Sequence, residues 1–339
     1  MTGTTAPQQR SWAKVLGPYA QPSVGRSLFQ VLNSVVPFAL TWWVMLASLE
    51  YYYWITLLLA VPAAGFLVRI FIIQHDCGHG AFFRSRTAND TLGFLLGVFT
   101  LTPYAYWRKT HAIHHKTSGN LDYRGLGDVT TLTVKEYVAL SRWKRFRYRL
   151  YRNPLVLFGV GPVYEFILRH RFPITVPRSW RREWASVFWT NLAILAIVSM
   201  MWKTIGIKAF LAVQLPITLL AGTAGVWLFY IQHQFEDTHW EKDDAWSFHV
   251  AGLEGSSYYD LPRVLHWFTG NIGVHHIHHL SSRIPNYRLQ QCLRENPELQ
   301  QVTRLTLRRS LKCARLKLWD EERRKLVGFH HLGSIPAKS

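Results

Sequence analysis

The chain has 339 residues, 49% of them hydrophobic and only 17% charged, against about 25% charged in soluble domains. Lys and Arg number 39 against 20 Asp and Glu, a net charge of +19. With long apolar runs and no RNP, zinc-finger or helix-turn-helix signature, that excess points to an anionic membrane surface or an acidic protein partner, and away from nucleic acid. Three scattered cysteines (Cys77, Cys292 and Cys313), none in a CxxC pair, give no disulfide framework and fit a reducing compartment.

In chain order, residues 1–27 are polar and lack the apolar stretch of a secretory signal. Runs at 28–49 and 52–74 are each long enough to cross a bilayer, which takes about 20 apolar residues, and only a short turn around Glu50 separates them. A weaker run at 91–107, interrupted by Thr100, Thr102, Pro103 and Tyr104, reads as partly inserted or interfacial. The run 153–168 is short, carries Glu165 and also reads as interfacial. Two further spans follow at 185–202 and 207–231. The expected fold is all-α: one domain over 1–339, with four transmembrane helices in two hairpins capped by a cytoplasmic helical region.

Loop charge gives the expected orientation. Residues 75–183, including Arg142, Lys144, Arg145, Arg147, Arg149 and Arg152, and residues 234–339 are rich in Lys and Arg. The turn at Glu50 has neither, and the turn between the last two spans has only Lys203 and Lys208. The positive-inside rule then puts both termini and residues 75–183 in the cytoplasm. Trp42, Trp43, Tyr51, Tyr52, Tyr53 and Trp54 form an aromatic belt at the outer turn, and Arg69 lies near the inner end of its span, where it can snorkel.

The chemistry lies in the histidines, sixteen in all. Three short boxes stand out: His75-Asp76-Cys77-Gly78-His79, His111-Ala112-Ile113-His114-His115 and His275-His276-Ile277-His278-His279. Positions i, i+3 and i+4 share a helix face, so each box presents two or three imidazoles in one direction. Eight such nitrogens exceed the need of one metal and suit two. His233, at the inner end of the fourth span, is a ninth candidate, and the charge bias places all four elements on one side of the membrane. HExxH and HxxEH zinc motifs are absent, and the boxes lack the Glu residues of soluble di-iron proteins. An all-imidazole pair of irons, able to activate O₂, is the remaining fit.

Around these, Asp76 is a candidate acceptor for an imidazole N–H, as are Glu236, Asp237, Asp122 and Asp128, for which solvated surface charge is the competing reading. Asn271, four residues before His275, is a candidate to hold a metal-bound water or to cap a helix start. Cys77 reads as packing. His276 points off the metal face of its helix. His170, His239, His249, His266, His330 and His331 read as ordinary surface or supporting residues.

The boxes, in this order and setting, resemble the membrane fatty acid desaturases, whose pattern is HxxxH, HxxHH and HxxHH. The resemblance runs from about residue 30 to about 325. Tyr106-Trp107-Arg108, Gly125-Leu126-Gly127-Asp128-Val129, Thr131-Leu132-Thr133, the Gln232–Asp237 segment, Gly255–Pro262 and Trp267–Gly273 resemble the bacterial acyl-lipid branch, which includes Δ12 (ω-6) desaturases. It implies that His75, His79, His111, His114, His115, His233, His275, His278 and His279 hold two irons. It also implies O₂ as co-substrate, a fatty acyl lipid as substrate, a cis double bond as product, and electrons from a ferredoxin- or cytochrome-b5-type donor. No haem-binding HPGG segment is present, so the donor is expected to be a separate protein. The implied setting is a bacterial cytoplasmic membrane.

Two other readings use the same residues. A hydroxylase or carotenoid ketolase could insert oxygen at the same site. A His-rich metal transporter, or a membrane zinc hydrolase, would use the clusters without O₂. The transporter predicts ionisable residues within the spans, whereas these histidines gather at one edge.

Overall fold

The computed structural model describes residues 12–125, 127–174 and 176–334. The ends of the chain, and with them the expected sidedness of both termini, lie outside the described residues, as does Leu126 of the Gly125–Val129 motif.

Four helices are long and apolar enough to cross a membrane: α1 (Val24–Ser48), α2 (Tyr53–Gly78) and, later in the chain, Arg181–Ile205 and Ile207–His233. The α1–α2 hairpin is closed at its turn by Ser48 Oγ and Thr56 Oγ1, 2.7 Å apart. Half of the apolar window of α2 is buried against 11% of that in Arg181–Ile205, so α2 is the innermost span. Leu28, Phe29, Leu32, Leu40, Trp43, Leu195 and Trp202 remain exposed around the bundle, an apolar belt that only lipid would cover. The protein is a membrane protein of mostly helical fold.

The ends of these helices matter for the site. α2 runs past residue 74, so His75 sits on its last turn and His79 is its C-cap. The fourth span ends on His233. The second and fourth spans therefore each carry a candidate ligand at their C-terminal end.

The weak run at 91–107 divides into two helices, α3 (Arg86–Phe99) and α4 (Tyr104–Thr117). Ser85 caps α3 by accepting from Ala88 N at 3.2 Å. The break at Thr100–Pro103 includes Leu101 at φ +56°, and Pro103 disfavours helix in the residue before it. α3 lies across the C-terminal end of α2: Thr100 Oγ1 donates to Gln74 Oε1 at 2.5 Å, and the Tyr104 hydroxyl donates to the Cys77 carbonyl at 2.8 Å.

After the basic helix α5 (Arg142–Tyr151) comes the short apolar run at 153–168. It folds as π-helical turns, Val156–Val160 and Tyr164–Arg169, joined at Gly161–Val163. They pack along the fourth span. Phe158 meets Trp227 and Tyr230, with ring centroids 4.9 and 5.1 Å apart. Gly222 leaves room for Pro162 and Phe166, which a Cβ there would meet at 3.0 and 3.4 Å. Gly222 stands eleven residues before His233, about 16 Å along a helix axis, so one face of this segment packs on the fourth span while Leu155, Val160, Tyr164 and Leu168 stay exposed. The third and fourth spans follow as α6 (Arg181–Ile205) and α7 (Ile207–His233).

The remainder forms a cap of short helices, among them α8 (Phe248–Glu254), α9 (His275–Leu280) and α10 (Asn286–Glu295). Two small sheets tie the cap together: a parallel pair of Tyr258–Asp260 with Arg304–Thr306, and a three-stranded sheet ordered Leu132–Thr133, Leu318–Asp320, Lys325–Val327. Arg152, fully buried at the end of α5, locks three parts of the cap to α7. Its guanidinium donates to the Thr130 carbonyl at 3.1 Å, Gln234 Oε1 at 2.8 Å and the Leu316 carbonyl at 3.1 Å.

Candidate metal centre

The three boxes and His233 converge where α2, α4, α7 and α9 meet. Among the described residues the imidazoles fall into two groups, His75, His79, His111, His115 and His278 in one and His114, His233, His275 and His279 in the other, with the nitrogens of each group within 4.8 Å of one another. The boxes are split between the groups. In α4 the i, i+4 pair His111/His115 serves the first group while His114 serves the second. In α9 the i, i+4 pair His275/His279 serves the second while His278 crosses to the first. One helix face therefore feeds two centres.

The distances suit metal ligation. His278 Nε2 lies 3.0 Å from His115 Nε2, His115 Nε2 3.2 Å from His111 Nε2, and His233 Nε2 3.1 and 3.2 Å from those of His275 and His114. Two bonds of roughly 2.1 Å to one ion, set at a right angle, leave their nitrogens roughly 3.0 Å apart. His79 Nε2 and His279 Nε2 are buried with no hydrogen-bond partner, a cost that a bound cation removes. Burial and the neighbouring imidazoles hold His79, His111, His115, His275, His278 and His279 well below the usual histidine pKa. These rings are therefore neutral near pH 7, the form that ligates metal.

A second layer orients the ligands. Asp76 Oδ1 lies 3.2 Å from His75 Nδ1, and its Oδ2 accepts from Asn286 N at 2.7 Å and Nδ2 at 2.8 Å. Asp128 Oδ1 bonds His114 Nδ1. His233 Nδ1 donates to the Gly255 carbonyl at 3.0 Å. Each contact fixes the tautomer that turns the other nitrogen toward the centre. Trp107 stacks on His111 with centroids 4.5 Å apart. Asp128→Asn is expected to lower metal retention and turnover by about 10- to 100-fold without unfolding the protein, measured by metal content and product yield on purified material.

Asp237 corrects an expectation. The chain leaves α7 at Gln234 and turns outward, so Asp237 is exposed and pairs with Lys325 at 3.1 Å, with Glu236 beside it. Asn271 does not face the imidazoles. It takes a left-handed turn at φ +57°, and its amide donates to the Asn286 carbonyl at 3.3 Å, so it supports Asp76 at one remove. Val274, not Asn271, precedes α9 as its N-cap residue. Asp122 braces a loop by accepting from Asp243 N at 3.0 Å. His276 points away from both groups, with Nε2 2.9 Å from the Leu299 carbonyl. Asn286 had no signal in the sequence: it lies outside every box and reaches Asp76 only through the fold.

A cavity of about 560 Å³ opens against the site, with His75, His111 and His275 on its wall and Leu67, Phe71 and Phe229 among its apolar lining. It runs between α2, α7 and the π-helical segment.

Fold and site together define a membrane protein whose clustered histidines could hold metal beside a largely apolar cavity. The model of the fatty acid desaturase family matches residues 51–308. A fatty acid desaturase of Bacillus subtilis is 47% identical over 333 residues, 98% of this chain and 94% of its own length. An sn-1 acyl-lipid omega-3 desaturase (ferredoxin) of a Nostoc strain is 27% identical over 278 residues, 79% of this chain and 74% of its own. An sn-1 oleoyl-lipid 12-desaturase of Anabaena variabilis is 27% identical over 285 residues, 77% of this chain and 73% of its own. The chain belongs to the fatty acid desaturase family and is an oxidoreductase of that class.

Proposed function

We propose that this protein introduces a cis double bond into a lipid-linked fatty acyl chain, with O₂ as oxidant and two irons held by the nine clustered histidines. The observation that carries this reading is the pairing of two imidazole groups of five and four with an apolar cavity that opens on both. The histidine-only donor set suits iron, which can activate O₂, better than magnesium or calcium. Relatives named as acyl-lipid desaturases support a lipid substrate, and one named with ferredoxin supports a separate electron donor of ferredoxin or cytochrome b5 type. The 12-desaturase likeness supports Δ12/ω-6 placement of the bond. Loop charge supports a cytoplasmic site and cytoplasmic termini in a bacterial membrane, with residues 1–339 acting as one domain.

When bound, the irons supply the oxidising power to take hydrogen from unactivated methylenes. Two hydrogens from the chain, two electrons from the donor and two protons reduce O₂ to two waters, leaving the double bond. The protein positions the chain. His75 and His114 are held in register by Asp76 and Asp128, while Phe71, Trp107 and Phe229 wall the cavity and exclude water.

Expression in a host lacking polyunsaturated fatty acids, with lipid profiling, tests the reading. A new cis double bond supports it. A hydroxylated product without one overturns it in favour of the same-site hydroxylase, and metal transport without O₂ consumption in favour of the transporter. The cavity has its own test. Gly225 lines it, and a Cβ there would meet nothing within 4 Å. Gly225→Phe is expected to cut turnover on long-chain lipid at least about tenfold by filling space the chain needs, with metal content unchanged.

A further inference from the structure

The cavity wall carries one charged cluster that the reaction described above does not use: Glu165, Arg169 and His170. We propose that these residues form a subsite for the carbonyl end of the acyl chain, an ester of a membrane glycerolipid. This subsite rests on the acyl desaturase reading.

The local fold brings the three together. Residues five apart point in different directions on an α-helix, but π-helical turns bring them into line. The His170 amide donates to the Glu165 carbonyl at 3.0 Å. The His170 Nε2 then lies 3.4 Å from Glu165 Oε1, and Arg169 Nη1 lies 3.0 Å from Glu165 Oε2. His170 Nδ1 is 3.3 Å from the Leu101 carbonyl, which fixes the ring at the break between α3 and α4.

The cluster lies below the polar edge of the bundle. Arg171, the next residue, donates to Asn191 Oδ1 at 2.8 Å. Asn191 stands ten residues into α6, about 15 Å along its axis. Charges at that depth are costly and are kept for a purpose.

The chemistry suits a neutral acceptor. Glu165 takes up the charge of Arg169, so an anion gains little. Arg169 carries five N–H donors, and its side chain remains 28% exposed on the cavity wall, leaving donors for a carbonyl oxygen. With the carbonyl held here and the methylenes beside His75, His111 and His275, the position of the double bond is counted from the carboxyl end.

The test uses the full-length, metal-loaded protein in nanodiscs with its reducing system. Phosphatidylglycerol bearing saturated or oleoyl chains is one substrate arm, and the matching saturated and oleoyl acyl-CoAs are the other. Arg169→Met is expected to raise the apparent KM for the lipid about tenfold, the loss of one charge-assisted hydrogen bond. Its kcat should stay within about twofold and its metal content unchanged, and double bonds should spread to neighbouring carbons because the chain slides. Arg169→Lys should restore part of the positional fidelity. If Arg169→Met does not accumulate, Arg169→Lys decides: a raised KM or scattered double bonds supports the subsite, and wild-type values overturn it. Unchanged KM and a single bond position in Arg169→Met also overturn it. Impairment in the acyl-CoA arm alone supports the carbonyl subsite but overturns the glycerolipid ester as its source. Wild type that forms no double bond with either substrate sinks the desaturase reading itself, a different failure from a subsite that does not matter.

Discussion

His278→Ala is expected to reduce desaturation to below about 1% of wild type while leaving a protein that still inserts in the membrane. Losing a residue that only orients a ligand typically costs 10- to 100-fold, and His278 is itself placed to ligate, so its loss costs more. It is also the residue of α9 that crosses from the group of His275 and His279 to the group fed by α2 and α4. Without it the first group has four imidazoles and loses its link to the third box. Its removal leaves the helix intact, since His278 is one side chain in a six-residue helix whose backbone bonds remain. Product analysis and metal content on the same preparation check the result, with one metal equivalent lost. His233→Ala should act likewise from the second group. His249→Ala is the control, because His249 is exposed and in neither group; wild-type activity is expected there. Retained activity in His278→Ala would remove it from the proposed ligand set.

Much of this was legible from spacing alone. Four apolar runs marked the spans, because a bilayer sets a length that few soluble helices reach with so little charge. HxxxH and HxxHH marked the site, because helical periodicity turns spacing into direction. The division of ligands was not legible. A face shared by His111, His114 and His115 looks like one donor set, and only the fold sends His114 to His233 and its neighbours to His75 and His79. Asp237 misled for a related reason: proximity to His233 in sequence suggested support, but the chain turns at Gln234 and carries it to Lys325. Asp128, thirteen residues past the second box and so farther along the chain from its partner, does reach an imidazole, and no local pattern separates the two. The π-helical form of 153–168 was not legible, because such turns leave no hydrophobic period to read. Its fit against Gly222 decides its depth.

Arg152→Met is expected to destabilise the folded protein by about 3 kcal/mol or more, seen as an earlier thermal transition in detergent with loss of metal. Arg152 is fully buried, and no carboxylate is among its partners in the described residues. It is held by neutral acceptors: the Thr130 and Leu316 carbonyls, Thr131 Oγ1 and Gln234 Oε1. Methionine matches much of the volume but leaves those acceptors buried and unpaired, at about 1–3 kcal/mol for each that water does not reach. Lys317 keeps its bond, since its ammonium donates to the Arg152 backbone carbonyl, which methionine retains; burial and then the Arg152 charge push its pKa down to about 8, so losing that charge offsets a small part of the cost. The bonds run to the site. Gln234 follows His233, and Thr130 and Thr131 follow Asp128, which holds His114. Loosening the Arg152 contacts therefore frees two members of the second imidazole group, and metal should be lost from that group first. Arg152→Lys should recover little, because a point charge on a flexible stem does not reproduce a planar fork reaching several acceptors. If Arg152→Met melts with the wild type and keeps its metal, the cap is held to α7 by its sheets and apolar contacts instead, and the coupling between Arg152 and the second imidazole group is absent.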